Sequence, residues 1–241
     1  MKKILVSILM AAMLLSMVSC FDGFGEKKDD KAEEEEIIGT LTYTLSEDGS
    51  YYTVSGIEAG SEKAPTRVDI PAEYGGVPVK AIGKKAFVNN NALETVNIAE
   101  GIETIEESAF YGCYAIKKIV IPNTVKTIEK FAFQYCSSLV DLTIGNKVET
   151  IEVQAFCFAE SLSTVTIPAS VTYIGEGAFS YCKALKTATF EKADGWWVST
   201  EENASSGETL NTGNPTENAV NLRMNYRGYH WRCTEQEAPT A

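Results

Sequence analysis

Between Ile82 and Phe190 the apolar residues fall in one order and return every 23 residues. "AIGKKAF" ends at Phe87, "TIEESAF" at Phe110, "TIEKFAF" at Phe133, "TIEVQAF" at Phe156 and "YIGEGAF" at Phe179. A second block follows each of these: "ALETVNI", "AIKKIVI", "SLVDLTI", "SLSTVTI" and "ALKTATF". Five units without a register error are not coincidence. A fixed period in the range of roughly 20–50 residues marks a repeat architecture, in which each unit buries its apolar face only against its neighbours.

The second block sorts into columns. Leu93, Ile116, Leu139, Leu162 and Leu185 form one, Val96, Ile119, Leu142, Val165 and Ala188 another, and Ile98, Ile121, Ile144, Ile167 and Phe190 a third. The last two alternate with positions predicted to be exposed, the period-two pattern of a short strand. Stacked units align these strands into a parallel sheet, and Pro122 and Pro168 mark the turn that follows it. The I-x-x-x-A-F segment is predicted to be a short helical turn, its Ala allowing close backbone approach and its Phe filling the core. The expected fold class is thus α/β, a solenoid of short parallel strands and short helical turns.

The stretch "IPNTVKTIEKFAFQYCSSLVDLTI", Ile121 to Ile144, resembles the repeat of BspA-type leucine-rich repeat proteins, and the resemblance covers residues 65–190. The first unit departs from it, because Ile70 to Ile82 spans 12 residues where Ile98 to Ile105 spans 7. Five extra residues therefore sit within "AEYGGVPVKA".

A solenoid leaves core and strand edge open at both ends, so each end needs a cap. At the front, residues 37–64 place Leu41, Tyr43 and Leu45 on one face, and "SEDGS" turns the chain toward Tyr52 and Val54, a predicted hairpin. At the rear, residues 191–241 supply Trp196, Trp197, Leu222, Tyr226, Tyr229 and Trp231 as apolar payload. "TEENASSGETLNTGNPTEN" between them reads as a loop excursion, with "NAS" at Asn203 a glycosylation acceptor only in a eukaryotic secretory route.

The chain opens with "MKKILVSILMAAMLLSMVSC". Lys2 and Lys3 precede an apolar run from Ile4 to Val18, shorter than the ~20 residues a bilayer-spanning helix needs, so residues 1–19 read as a signal peptide. "MVSC" resembles a bacterial lipobox, with Met17 where Leu is usual, which implies lipidation of Cys20 and attachment to a bacterial membrane. Phe21 after the cysteine resembles outer-membrane sorting. Residues 20–36, with the charged run "EKKDDKAEEEE", read as a solvated tether and lack the alternating ligands of a calcium loop.

A formal charge of −12 argues against a nucleic-acid partner, which requires a basic face. A single histidine, His230, weakens triad and zinc readings. No P-loop, dinucleotide fingerprint, HExxH motif or nucleophile elbow occurs, so no enzyme activity, cofactor or metal is expected. Glu106, Glu107, Glu129 and Glu152 mimic paired acids, but an exposed charged edge explains them, since a glycosidase needs a cleft around its two carboxylates. Cys113, Cys136 and Cys182 share a column, with Cys157 and Cys233 outside it. No C-x-x-C is present, and parallel Cβ vectors align neighbouring sulfurs poorly, so free thiols are expected.

Surface remains. The outward strand positions on the expected concave face are Thr95, Lys118, Asp141, Thr164 and Thr187 in one column and Asn97, Val120, Thr143, Thr166 and Thr189 in the other. An alternative edge carries Tyr135, Phe158 and Tyr181. The family resemblance implies a surface lipoprotein that binds a protein partner, either host matrix proteins or the surface proteins of other bacteria. A structural envelope lipoprotein and a glycan-binding module built on the C-terminal tryptophans are the alternatives.

Overall fold

The computed structural model describes residues 37–58 and 64–233. The expected signal segment, Cys20 and the tether to residue 36 lie outside the described residues.

β1 (Leu41–Leu45) and β2 (Tyr52–Ile57) form an antiparallel hairpin. β3 (Arg67–Ile70), β4 (Glu73–Tyr74) and β5 (Val77–Ile82) follow. Each later unit gives a longer and a two-residue strand: β6 (Thr95–Ile98) and β7 (Thr104–Ile105), then β8 (Lys118–Val120) and β9 (Thr127–Ile128). β10 (Asp141–Thr143) and β11 (Thr150–Ile151) come next, followed by β12 (Thr164–Ile167) and β13 (Tyr173–Ile174). β14 (Thr187–Phe190) ends the repeats. β15 (Trp196–Ser199), β16 (Glu208–Thr209), helix α1 (Pro215–Val220), a π-helical turn at Asn221–Asn225 and β17 (His230–Cys233) complete the chain.

Three walls stack from unit to unit. The predicted ladder of parallel strands is one wall, made by β3, β6, β8, β10, β12 and β14. The second is a parallel sheet that the sequence reading did not anticipate. There β5, β7, β9, β11 and β13 pair through Ile82, Ile105, Ile128, Ile151 and Ile174, all buried. Two residues are too short a run to display a period, which is why the pattern concealed it.

The third wall is the A-F segment, and it is not helical. A helix would direct its N–H groups back into its own turn. Here alternate N–H groups leave the turn: Ser108, Phe110 and Gly112 donate to the carbonyls of Lys130, Ala132 and Gln134 in the next unit at 2.7–3.1 Å. The groups between them, Ala109, Tyr111 and Cys113, donate three residues back within the turn. Each turn holds two residues at positive φ, for example Ser108 (57°) and Gly112 (73°), or Phe131 (63°) and Tyr135 (65°).

Inside the walls the phenylalanines form one stack. Centroids of Phe87, Phe110, Phe133, Phe156 and Phe179 follow at 4.9, 5.1, 5.2 and 5.3 Å with planes within 13°. The five extra residues of the first unit make a second hairpin, β4 to β5, around Gly75 and Gly76. A two-residue turn of this kind needs positive φ at both positions, and they take 60° and 80°.

The ends are closed by different means. In front, Tyr43 of the β1–β2 hairpin stacks on Tyr74 at 4.1 Å and Tyr52 meets both rings edge-on. Leu41 and Tyr43 pack against the core as expected, whereas Leu45, the last residue of β1, is 46% exposed and does not join that apolar face. At the rear, β17 pairs antiparallel with β13 and β15 with β17, extending the second sheet. Trp196 and Trp231 pack on Phe190 at 5.0 and 5.8 Å. The last residues of the expected loop excursion begin α1 instead. Asn214 caps it, its Oδ1 accepting from the Thr216 and Glu217 N–H groups at 3.1 and 3.3 Å, with Pro215 in the first turn. α1 lies against β14, and Asn218 Nδ2 donates to the Ala188 carbonyl at 2.9 Å, serving an edge that no further strand among the described residues covers.

Phe133 is fully buried between two ring neighbours. Phe133→Ala should cost about 3–5 kcal/mol, the usual penalty for emptying a buried aromatic site. Urea denaturation would check this; a loss near the roughly 0.5 kcal/mol of surface changes would place the ring outside the core.

Candidate functional site

Alternation along each ladder strand sends one set of side chains inward and the other out. Pairing aligns the outward set into two columns: Arg67, Thr95, Lys118, Asp141, Thr164 and Thr187, then Asp69, Asn97, Val120, Thr143, Thr166 and Thr189. All ten ladder positions expected from the sequence lie on this face, Thr95 and Thr187 half-buried and the others exposed. The first unit adds Arg67 and Asp69, which the altered spacing had hidden.

The charges on this face are compensated locally. Lys118 Nζ lies 2.8 Å from Asp141 Oδ2. Asp69 accepts from Arg67 Nε at 2.9 Å and from Asn97 Nδ2 at 2.6 Å. Burial works to raise the Asp69 carboxyl, but these two hydrogen bonds hold it below its ordinary value. Exposed pairs of this kind contribute only about 0–1 kcal/mol each. The face therefore presents paired charges over its first half and threonine hydroxyls over its second. Strand pairing is complete between β3 and β6 and between β12 and β14, shrinks to Thr95↔Lys118 between β6 and β8, and is missing between β10 and β12.

The alternative edge is a ring stack. Tyr135 and Phe158 are 4.7 Å apart, Phe158 and Tyr181 4.4 Å, with planes at 16° and 4°, and Tyr111 meets Tyr135 edge-on at 5.4 Å. The three stacked residues take φ of 65°, 63° and 60°, at the position where earlier units place Asn89 and Gly112. Each interior ring covers its neighbour's face, and the Arg227 guanidinium lies 5.8 Å from the Tyr181 centroid. Ring edges and phenol oxygens are what the stripe turns to solvent.

The tryptophan platform does not form. Trp196 and Trp231 are each 1% exposed, and the Trp196 indole N–H donates to the Lys192 carbonyl, so neither has a face for a sugar ring. Trp197 alone is half-exposed, beside the Arg232 guanidinium at 6.0 Å, which also lies 4.7 Å over the Tyr173 ring. His230 ties the cap to the last repeat, its Nδ1 2.7 Å from Tyr173 Oη, and burial lowers its pKa.

The acidic edge works as a set of staples. Glu106, Glu129 and Glu152 each accept a backbone N–H of the preceding unit, from Lys84, Glu107 and Lys130 at 2.8–3.1 Å. Glu107 pairs with Lys84 at 2.8 Å and with Lys130 at 3.5 Å, and these cations hold its carboxyl below the usual range. Burial instead raises Glu152, whose neighbour Glu129 adds repulsion. Carboxylates engaged in stacking are poor candidates for acid–base work. Among the described residues no cluster of three or more His, Cys, Asp or Glu forms a metal cage, and no helix is long and apolar enough to cross a membrane.

The column cysteines are buried thiols with a common task. Cys113, Cys136 and Cys182 Sγ donate to the carbonyls of Phe87, Phe110 and Phe156 in the preceding unit at 3.1–3.5 Å. Burial pushes the Cys113 thiol up to about 12 and raises Cys136 and Cys182 as well.

A family profile described as "BspA type Leucine rich repeat region" matches residues 71–193 in six copies, just over half the chain. Among solved structures, a leucine-rich repeat protein of T. pallidum is 28% identical with a TM-score of 0.58, over 62% of this chain and 68% of that one. One from Bacteroides ovatus is 30% identical at 0.56, over 61% and 39%. A leucine-rich cell surface protein of Faecalibacterium prausnitzii is 35% identical at 0.56, over 63% and 41%. The chain thus spans about two fifths of the last two. A search of curated proteins finds no match.

The thiol geometry gives a direct test. In mildly alkaline buffer, Ellman's reagent should leave Cys113, Cys136 and Cys182 unmodified in the folded protein and react with them once guanidinium unfolds it, because only the thiolate attacks. Rapid modification of the folded chain, mapped to these residues by mass spectrometry, would contradict the burial described above.

Proposed function

We propose, because the chain belongs to the BspA-type leucine-rich repeat family, that its solenoid acts at a bacterial cell surface by binding another protein through the outward face of the ladder. One observation carries this reading. Apart from the Lys118–Asp141 and Asn97–Asp69 contacts the two outward columns take no part in joining unit to unit, and they sit on backbone that is paired from β3 to β10 and from β12 to β14. Side chains held this way lose little freedom on binding, which lowers the ordering cost of an interface. Binding rather than catalysis also suits the acidic edge, whose glutamates serve the fold.

Surface location draws support from the Faecalibacterium relative, described as a cell surface protein. The leader and Cys20 supply the means: signal cleavage before Cys20, lipid on its thiol, and a charged tether that sets the solenoid off the membrane. The partner class is a protein, either host matrix or the surface of another bacterium. The aromatic stripe of Tyr135, Phe158 and Tyr181 is the second candidate face, favoured by its partial exposure.

Two tests follow. Thr143→Arg with Thr166→Arg adds bulk and charge to the ladder without touching the core. It should abolish capture of matrix proteins or bacterial envelopes in a binding screen, with stability changed by less than about 0.5 kcal/mol. Tyr135→Ser with Tyr181→Ser is the comparison pair. If that pair alone removes binding, the aromatic stripe is the binding face. Separately, Cys20→Ala should move the protein from the detergent-extracted membrane fraction to the soluble one, with loss of metabolic lipid labelling. Unchanged labelling would refute the anchor.

A further inference from the structure

Two prolines decide where the ladder opens. Ala99 donates its N–H to the Ile70 carbonyl at 3.0 Å, and Glu191 donates to Ile167 at 3.0 Å. These are the two interfaces with full four-residue register, β3 with β6 and β12 with β14. In the three units between them the same position is Pro122 after β8, Gly145 after β10 and Pro168 after β12, and β10 with Gly145 keeps a three-residue register with β8. Proline has no N–H. Pro122 brings no donor to the Ile98 carbonyl, nor Pro168 to that of Ile144; pairing shrinks to Thr95↔Lys118 at the first of these interfaces and is missing at the second.

At the first of them the strands part around a cleft of about 360 Å³. Val96 and Ile98 line it on one side and Val120 on the other. Ile98 is half-buried, whereas Ile70, Ile121 and Ile167 in the same column are 1–2% exposed, and Val120 is 46% exposed. The rim bears Lys117 and Lys118, each already paired, to Glu94 at 3.0 Å and to Asp141 at 2.8 Å.

We propose that this cleft receives one uncharged aliphatic or aromatic side chain from an extended segment of a protein partner, a backbone N–H of that segment donating to the Ile98 carbonyl. The inference rests on the ladder being the binding face. The volume is near the lower end of the ~300–1,000 Å³ usual for small-molecule pockets, which suits an anchoring side chain. Val96, Ile98 and Val120 form its apolar walls, Thr95 and Asn97 are its uncharged polar members, and the Lys117 and Lys118 charges are already paired, so a charged group entering it would lose hydration without gaining a free partner. A single apolar anchor inside a polar rim is the arrangement that concentrates binding energy in protein interfaces. Extended segments recognise sheets by main-chain hydrogen bonds with side chains in pockets, and here the acceptor is one that the fold leaves for them.

The test uses the full chain with isotope-labelled methyl groups and two small probes, N-acetyl-leucine N-methylamide and N-acetyl-aspartate N-methylamide. The leucine probe should shift the methyl signals of Val96, Ile98 and Val120, and the aspartate probe should not. Pro122→Ala restores the missing N–H and should weaken the leucine response about tenfold or more, equivalent to ~1.4 kcal/mol. Pro168→Ala, the same change at the other gap, should leave it intact. Val120→Glu, at an exposed wall position, should weaken it likewise and serves if Pro122→Ala does not fold. No response to the leucine probe, an equal response to both probes, or one that survives both Pro122→Ala and Val120→Glu overturns the inference. No macromolecular partner is present, so such a failure removes the pocket alone, while the arginine pair on the ladder decides the binding face itself.

Discussion

Each repeat before the last depends on the next one for alternate backbone hydrogen bonds of its turn. In the turn wall, alternate N–H groups point along the solenoid axis and find a carbonyl 22 residues further on, as Phe110 does at Ala132 and Phe133 at Ala155. A buried N–H left unpaired costs on the order of 1–3 kcal/mol, so one turn of this shape has no stable existence alone. The requirement fixes the left-handed residues, because a chain that turns alternate N–H groups outward cannot keep right-handed helical angles throughout. It also fixes the axial spacing that lets the phenylalanines stack at 4.9–5.3 Å. Side chains reinforce the dependence: glutamates reach backbone N–H groups, and cysteine thiols reach carbonyls, of the preceding unit.

A structure bonded in this direction has a problem only at its ends, and the two ends meet it with different chemistry. The front adds a hairpin, so that β2 joins β5 in parallel while β1 becomes the outer edge. The rear reverses direction, β17 running antiparallel to β13, and covers Phe190 with two tryptophans. Among the described residues the ladder edge at β14 receives no further strand. Its carbonyl at Ala188 is met by the Asn218 amide, which also serves the Thr212 carbonyl. One side chain with two donors replaces a strand there, and the capped helix α1 holds it in place.

The periodicity carried most of this information, and its gaps have physical causes. Columns at a spacing of 23 identified the ladder, its outward positions and the core residues, since burial acts on each unit alike. The second sheet escaped notice because its strands are two residues long. A helical turn was the natural reading of I-x-x-x-A-F, for spacing alone does not reveal where an N–H points. The tryptophans suggested a sugar platform because composition does not distinguish a buried indole from an exposed one. Pro122 and Pro168 were legible as turn markers. Their larger effect, opening the ladder at two interfaces, depends on which carbonyl lacks a donor, and that requires the register.

Within a unit the inward columns, the alternate turn donors and the glutamates are committed to neighbours. Two kinds of side chain are less committed: those of the outward ladder positions, where only Lys118–Asp141 and Asn97–Asp69 bridge units, and those at the second left-handed site of each turn. At that site three units carry aromatic rings although the conformation costs roughly 1–2 kcal/mol for a side chain with a Cβ. Stacked aromatic pairs return about 0.5–1.5 kcal/mol each, and Tyr135, Phe158 and Tyr181 form two such pairs. Stacking therefore offsets part of that cost without any ligand. No comparable return exists on the ladder, where Lys118, Asp141 and Val120 interrupt a run of threonines and asparagine, a surface ion pair contributes little, and an exposed valine contributes less. The side chains that the fold does not need lie on the ladder, beside the gap that Pro122 opens.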